Sequence, residues 1–133
     1  MTPRTILITG GTGKLGRSLV SHFLASGDSV IATARTENSL GQLIKEHSGV
    51  GKKLTGFQVD LRAPRAINNL CEQLRQKRLS PDCLVNSARS QAFLKINDDG
   101  LISRENFAGE FLLDVIVPYE LTMALVAQDG GRL

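Results

Sequence analysis

The chain has no tryptophan, one tyrosine and five phenylalanines in 133 residues, so aromatic side chains make up 5% of it. Its basic clusters, Lys52-Lys53 and Arg75-Gln76-Lys77-Arg78, carry no interleaved aromatics. They read as a solvated face within a net charge of +3 rather than as a nucleic-acid surface. Cysteine is equally scarce. Cys71 and Cys83 belong to no CxxC or Cys/His cluster, which excludes a structural metal site, and both read as small buried hydrophobes. Long apolar runs are missing too, since Gly, Asp or Arg interrupts each run well short of the roughly 18 to 20 residues a membrane span needs. The start, Met1-Thr2-Pro3-Arg4, passes directly into a strand-like run and lacks the apolar core of a signal peptide, so a cytoplasmic location is expected. There is no internal repeat, low-complexity tract or linker. Length, 41% hydrophobic and 22% charged residues fit one ordinary globular domain over residues 1–133.

What is present alternates between two periods. Thr5-Ile-Leu-Ile8 is a β-branched and apolar run that ends in Thr9-Gly10-Gly11. Lys14 to Ala25 then carries apolar residues at Leu15, Leu19, Val20, Phe23 and Leu24, the spacing of an amphipathic helix closed by Gly27 and Asp28. Ser29 to Thr33 supplies a second strand ending at Ala34-Arg35. Glu37 to His47 is a weaker helix, and Leu54 to Val59 a third strand with Asp60 at its end. Pro64 suits the first position of a helix carrying Ile67, Leu70, Cys71 and Leu74, because its missing N–H has no partner there anyway. Cys83-Leu-Val85 is the fourth strand. Ser103 is placed to cap one long helix through Phe107, Phe111, Leu112 and Val115 to about Ala127. Pro118 removes the N–H that would bond the carbonyl of Asp114, which predicts a bend there. Gly130-Gly131 turns the chain toward Arg132-Leu133, the opening of a fifth strand. This alternation predicts an α/β fold with a parallel sheet covered on both faces.

The loop Thr9-Gly-Gly-Thr-Gly-Lys-Leu-Gly16 holds the pattern G-x-G-x-x-G at Gly11, Gly13 and Gly16, directly after a strand and at the start of a helix. Such a loop lets the backbone approach a pyrophosphate, while the helix N-terminus offers free N–H groups and the positive end of its dipole. Gly13-Lys14 does not begin a nucleoside-triphosphate loop, because Ile8 stands where that motif needs glycine and Leu15 where it needs Ser or Thr.

With Thr9, Gly10, Gly13 and Gly16 spaced as T-G-x-x-G-x-x-G, the chain resembles the short-chain dehydrogenase/reductase family. The resemblance implies a doubly wound parallel sheet of Rossmann type. It also implies that residues 1–133 form a single NAD(P)-binding domain with about four strands, the N-terminal half of that fold. Lys14 stands where the main branch of the family has its middle glycine. The phosphate loop then comprises Gly10, Thr12, Gly13, Lys14, Leu15 and Gly16. At the end of the second strand, where NAD enzymes carry an acid that bonds the ribose, this chain has Ala34-Arg35-Thr36. Arg35 can pair with a ribose 2′-phosphate that a carboxylate would repel, and Lys14 adds a second cation, so NADP is favoured over NAD. Glu37 is either a further ribose contact or a first-turn carboxylate favourable to its helix dipole.

The resemblance continues. Asp60 and Leu61 stand where family members bond the adenine with a carboxylate and the next backbone N–H. The alternative for Asp60 is a cap on its own turn. Asn86-Ser87-Ala88-Arg89 resembles the family's N-N-A-G segment, with Ser for the second Asn and Arg for the Gly. Asp114 takes the place of an Asn that serves a proton relay in the fourth helix, and an ionised carboxylate there cannot donate a hydrogen bond.

The family's Tyr-x-x-x-Lys pair is absent, since four residues beyond Tyr119 stands Met123. Tyr119 therefore reads as a surface or packing residue. What the resemblance implies is an NADP(H)-dependent oxidoreductase acting on a small carbonyl or alcohol substrate, with this chain as its cofactor-binding half. The chain alone is expected to be inactive, and to work as a homo-oligomer or with a complementing C-terminal segment. The alternative is a non-catalytic NADP-binding or regulatory module. No metal, membrane or nucleic-acid partner is expected.

Overall fold

A computed structural model describes residues 2–90 and 95–128 of the chain. Four parallel strands, β1 (Thr5–Thr9), β2 (Ser29–Ala34), β3 (Leu54–Gln58) and β4 (Cys83–Asn86), form one sheet in the order β3-β2-β1-β4. Helices α1 (Lys14–Ala25), α2 (Glu37–Glu46) and α3 (Ala66–Gln76) alternate with them, and α4 (Arg104–Phe111) and α5 (Val117–Gln128) follow β4.

The strands' period of two sorts the core into two layers. Ile6 and Ile8 of β1, with Val30 and Ala32 of β2, meet Val20 and Leu24 of α1 and Leu43 of α2 on one face. Leu7 and Ile31 point the other way, onto Leu70 and Leu74 of α3 and Leu121 and Leu125 of α5. Both central strands are almost wholly buried, as strands covered on both sides must be. The fold is therefore the doubly wound parallel sheet that the alternation predicts.

Three details differ from the sequence reading. The third helix begins at Ala66, not Pro64, because Arg65 before it has φ +66° and interrupts helical geometry. The long helix from Ser103 is not uniform. Its cap is as expected, with the Ser103 hydroxyl accepting from the Asn106 amide at 3.1 Å. Between α4 and α5, however, Leu112–Ile116 forms a π-turn, in which the Val117 amide donates to Leu112 O five residues back. This wide turn lies directly before Pro118, where the ordinary ladder already lacks a donor. Cys83 is half-buried rather than buried, whereas Cys71 is buried and burial pushes its thiol pKa up. The expected fifth strand at Arg132-Leu133 falls outside the described residues.

An interaction the sequence did not advertise ties the start of β1 to the α1–β2 turn. The Asp28 carboxylate, 4% exposed, accepts from the Arg4 backbone N–H and from Arg4 Nη2, each at 2.9 Å. These hydrogen bonds, side chain first and backbone second, hold Asp28 below the usual carboxylate range. A group with a lowered folded pKa contributes stability that is complete above its unfolded value, near 3.9, and is lost as the pH falls through the folded one. We therefore expect Asp28→Asn to lower the melting temperature at pH 7, with the gap to the parent chain closing as the pH falls from 5 to below 3. A gap independent of pH would show that the carboxylate charge does not contribute.

Candidate functional site

Because β1 lies between β2 and β4, the chain leaves its carboxyl end toward one side of the sheet through α1 and reaches β4 on the other side. A crevice opens at such a reversal in strand order. It is a cleft of about 950 Å³ at the carboxyl ends of the strands.

The glycine loop forms one wall. Gly10 has φ +64°, and a Cβ there would lie 2.7 Å from Ala88 Cα. A Cβ on Gly16 would collide with the Gly10 carbonyl oxygen. Both positions exclude side chains, so the loop folds tightly onto β4 and onto the first turn of α1. Beneath it, the buried Thr9 hydroxyl accepts from the amides of Ser87 and Ala88, each at 3.1 Å. The Gly11 amide donates to Thr33 O at 2.9 Å, joining the loop to β2. Arg17 steadies it from α1, with Nε donating to Thr12 O at 3.0 Å and Nη1 paired with Glu46 at 2.7 Å.

Gly13 caps α1 in an extended conformation, and Gly13, Lys14, Leu15 and Gly16 line the cleft with Gly10 and Thr12. No acidic residue occupies the first turn of α1, so nothing on that turn offsets the positive end of its dipole. Arg35 lines the cleft at the end of β2. Among the described residues neither Lys14 nor Arg35 is held in an ion pair.

Thr36 is the one residue of the expected set outside the lining: its hydroxyl caps α2, accepting from the Ser39 amide at 3.2 Å. Glu37 occupies the first turn of that helix, favourable to its dipole. Asp60 lines the cleft and also caps its own turn, with Oδ1 accepting from the Arg62 amide at 3.1 Å. Leu61, Asn86, Ser87 and Ala88 complete the wall below β3 and β4.

Asp114 stands on the π-turn, exposed, and lines the cleft. It also lines a smaller cavity of about 220 Å³ with Thr9, Asn86 and Pro118. The π-turn before Pro118 and the expected carboxylate thus fall at one locus. Sequence reasoning missed Thr33, Ala34 and Val59, whose lining positions follow from their place at strand ends, and Arg62, whose guanidinium lies 3.8 Å from Asp60. Tyr119 is exposed on α5 and lines neither cavity. Among the described residues no cluster of acidic, histidine or cysteine side chains could hold a metal ion, and no helix is long and apolar enough to cross a membrane.

Comparison with known proteins agrees with this geometry. The family model described as short chain dehydrogenase matches residues 4–112. The chain is 38% identical over 86 residues to the short chain dehydrogenase/reductase dpmpG of Macrophomina phaseolina, covering 64% of this chain and 49% of that one. It is 30% identical over 96 residues to the 3-oxoacyl-[acyl-carrier-protein] reductase of Escherichia coli, covering 70% and 38%. Among solved structures, 4-hydroxyisoleucine dehydrogenase complexed with NADH matches 94% of this chain and 49% of its own, with 26% identity and a TM-score of 0.73. L-Sorbose reductase of Gluconobacter frateurii shares the fold at 20% identity, with a TM-score of 0.82 over 99% of this chain and 48% of that one. The chain spans about half the length, or less, of these relatives. It belongs to the short chain dehydrogenase family of oxidoreductases, and its described strands form the NAD(P)-binding sheet of that family.

Proposed function

We propose that this chain is the cofactor-binding half of an NADP(H)-dependent oxidoreductase acting on a small carbonyl or alcohol substrate, with residues 1–133 forming a single domain. The observation that carries the reading is the pairing of a glycine loop at the α1 N-terminus with two cations, Lys14 and Arg35, that make no ion pair with any described residue.

The fit rests on this chain's own atoms. A Cβ at Gly10 or Gly16 would strike backbone, so the loop packs tightly and brings the free amides of α1 to the cleft. Arg35 follows β2 where an NAD enzyme carries an acid, and its two-pronged donor geometry matches a phosphate. Asp60 has one oxygen committed to its own turn and a second with which to accept from an adenine amino group. Leu61, whose backbone N–H would meet the adenine ring, lines the cleft together with Asn86, Ser87 and Ala88. When bound, the nicotinamide supplies a hydride donor or acceptor.

Asp114 is positioned to hold water by accepting hydrogen bonds, a role open to a carboxylate. Among the described residues no Tyr-x-x-x-Lys pair faces the cleft, so the chain by itself is proposed to bind without turning over substrate. The two free cysteines are in keeping with a reducing, cytoplasmic setting. Replacing Arg35 by Ala is expected to weaken NADPH binding by about 1.5 to 3 kcal/mol, the scale of a charge-assisted hydrogen bond, and to leave NADH unchanged in a calorimetric titration. Equal losses for both cofactors would overturn the preference for NADP.

The outer side of α4 and α5 exposes Phe107, Phe111, Val115, Tyr119 and Met123 at intervals of four residues. A continuous apolar stripe of this kind supports assembly, as a homo-oligomer or with a complementing C-terminal segment. Phe111→Asp is expected to shift the sedimentation profile toward monomer. A parent chain already monomeric at 100 μM, or a profile unmoved by the substitution, would remove the homo-oligomer.

A further inference from the structure

The cleft is lined by four cationic side chains, Lys14, Arg35, Arg62 and Arg89, against two acidic ones, Asp60 and Asp114. Arg62 lies within 3.8 Å of Asp60 and is partly neutralised by it. Lys14 and Arg35 belong to the glycine loop and the end of β2. Arg89 remains. It is exposed, follows β4, and makes no ion pair with any described residue.

We propose that Arg89 is a cofactor-binding residue that pairs with the pyrophosphate of the dinucleotide, at the phosphate farther from the adenosine. The inference rests on the dinucleotide reading above and adds to it a residue for which that reading has no role. The argument is one of position. The carboxyl ends of β2, β1 and β4 follow one another across the sheet, bearing Arg35, the glycine loop and Arg89 in that order. Neighbouring strands are about 4.8 Å apart, so β2 and β4 are separated by roughly 10 Å. A cation following β4 therefore serves a different part of an extended ligand from one following β2.

Arg89 also directly follows the residue whose backbone packs against Gly10, the contact that forbids a Cβ at Gly10. Its stem thus begins at the seam between the glycine loop and the β4 loop, facing the cleft that the α1 N-terminus also faces. A negative group held by the α1 amides completes its charge balance there, and a guanidinium offers two parallel donors to phosphate oxygens. An acidic substrate group is the competing occupant. It is less favoured because Arg89 emerges beside the glycine loop, where the α1 amides already offer an anion site.

The test is direct binding to the full chain, read by calorimetry and by the rise in melting temperature on adding ligand. Three ligands are compared: NADPH, NADH, and adenosine 2′,5′-bisphosphate, which carries the ribose phosphate but ends at the first phosphate of the bridge. Arg89→Ala is expected to weaken NADPH and NADH alike by roughly tenfold or more and to leave the bisphosphate within about twofold. Arg89→Lys, which keeps the charge, should recover part of the loss. The melting temperature without ligand should stay unchanged, as befits an exposed side chain. Unchanged affinity for both dinucleotides in Arg89→Ala would overturn the proposal. An equal loss for the bisphosphate would overturn it as well. If the parent chain binds none of the three ligands, the dinucleotide reading itself fails, an outcome distinct from either of these.

Discussion

The cleft depends on the contact between two loops at the centre of the sheet. The buried Thr9 hydroxyl accepts from two successive amides, those of Ser87 and Ala88, while Gly10 lies against the Ala88 backbone. Leaving either amide unpaired in this setting would cost about 1 to 3 kcal/mol. A side chain on Gly10 would push the two loops apart. Strand pairing alone aligns β1 with β4 through Thr9 and Asn86. The Thr9 hydroxyl and the bare Gly10 extend that alignment past the sheet, where irregular backbone would otherwise be free to part.

Once those loops are joined, the electrostatics of the cleft follow. The α1 N-terminus opens at the junction with no acidic side chain in its first turn. Cations flank it on both sides, and Asp60, the acid beside them, is engaged in its own turn and with Arg62. The other acid, Asp114, lies on the π-turn. The cleft thus carries more cations than acids and is positive along its glycine-loop wall, which suits a ligand bearing phosphates.

Much of this was legible in the residues, because short-range rules govern it. The apolar period of Lys14–Ala25 and the turn at Gly27 and Asp28 set α1 to the residue, and the short apolar runs at Thr5–Ile8 and Ser29–Thr33 located β1 and β2. The glycine spacing located one wall of the cleft. What escaped was either long-range or a matter of backbone conformation. Nothing local marks Asp28 as the partner of Arg4, 24 positions away. Arg65 adopts a left-handed conformation that no rule for arginine foretells, and it delays α3 past the well-placed Pro64. Pro118 announced a disturbance in the helix but not its form, since a missing donor is compatible with a kink or with the π-turn observed. Thr36 was read as a cleft residue because it follows Arg35. Its hydroxyl is instead directed to the α2 amides, as a threonine at a helix start commonly is.

The central claim is that this cleft holds a nicotinamide dinucleotide along the glycine loop, the end of β2 and the β4 loop. The most direct measurement is an NMR titration of the isotope-labelled chain with NADPH, following backbone amides. The account predicts the largest saturable shifts at Gly13 to Gly16, with further shifts at Arg35, Leu61 and Ala88, and little change along α4. Shifts confined to the exposed stripe of α4 and α5, or none up to millimolar NADPH, would contradict it.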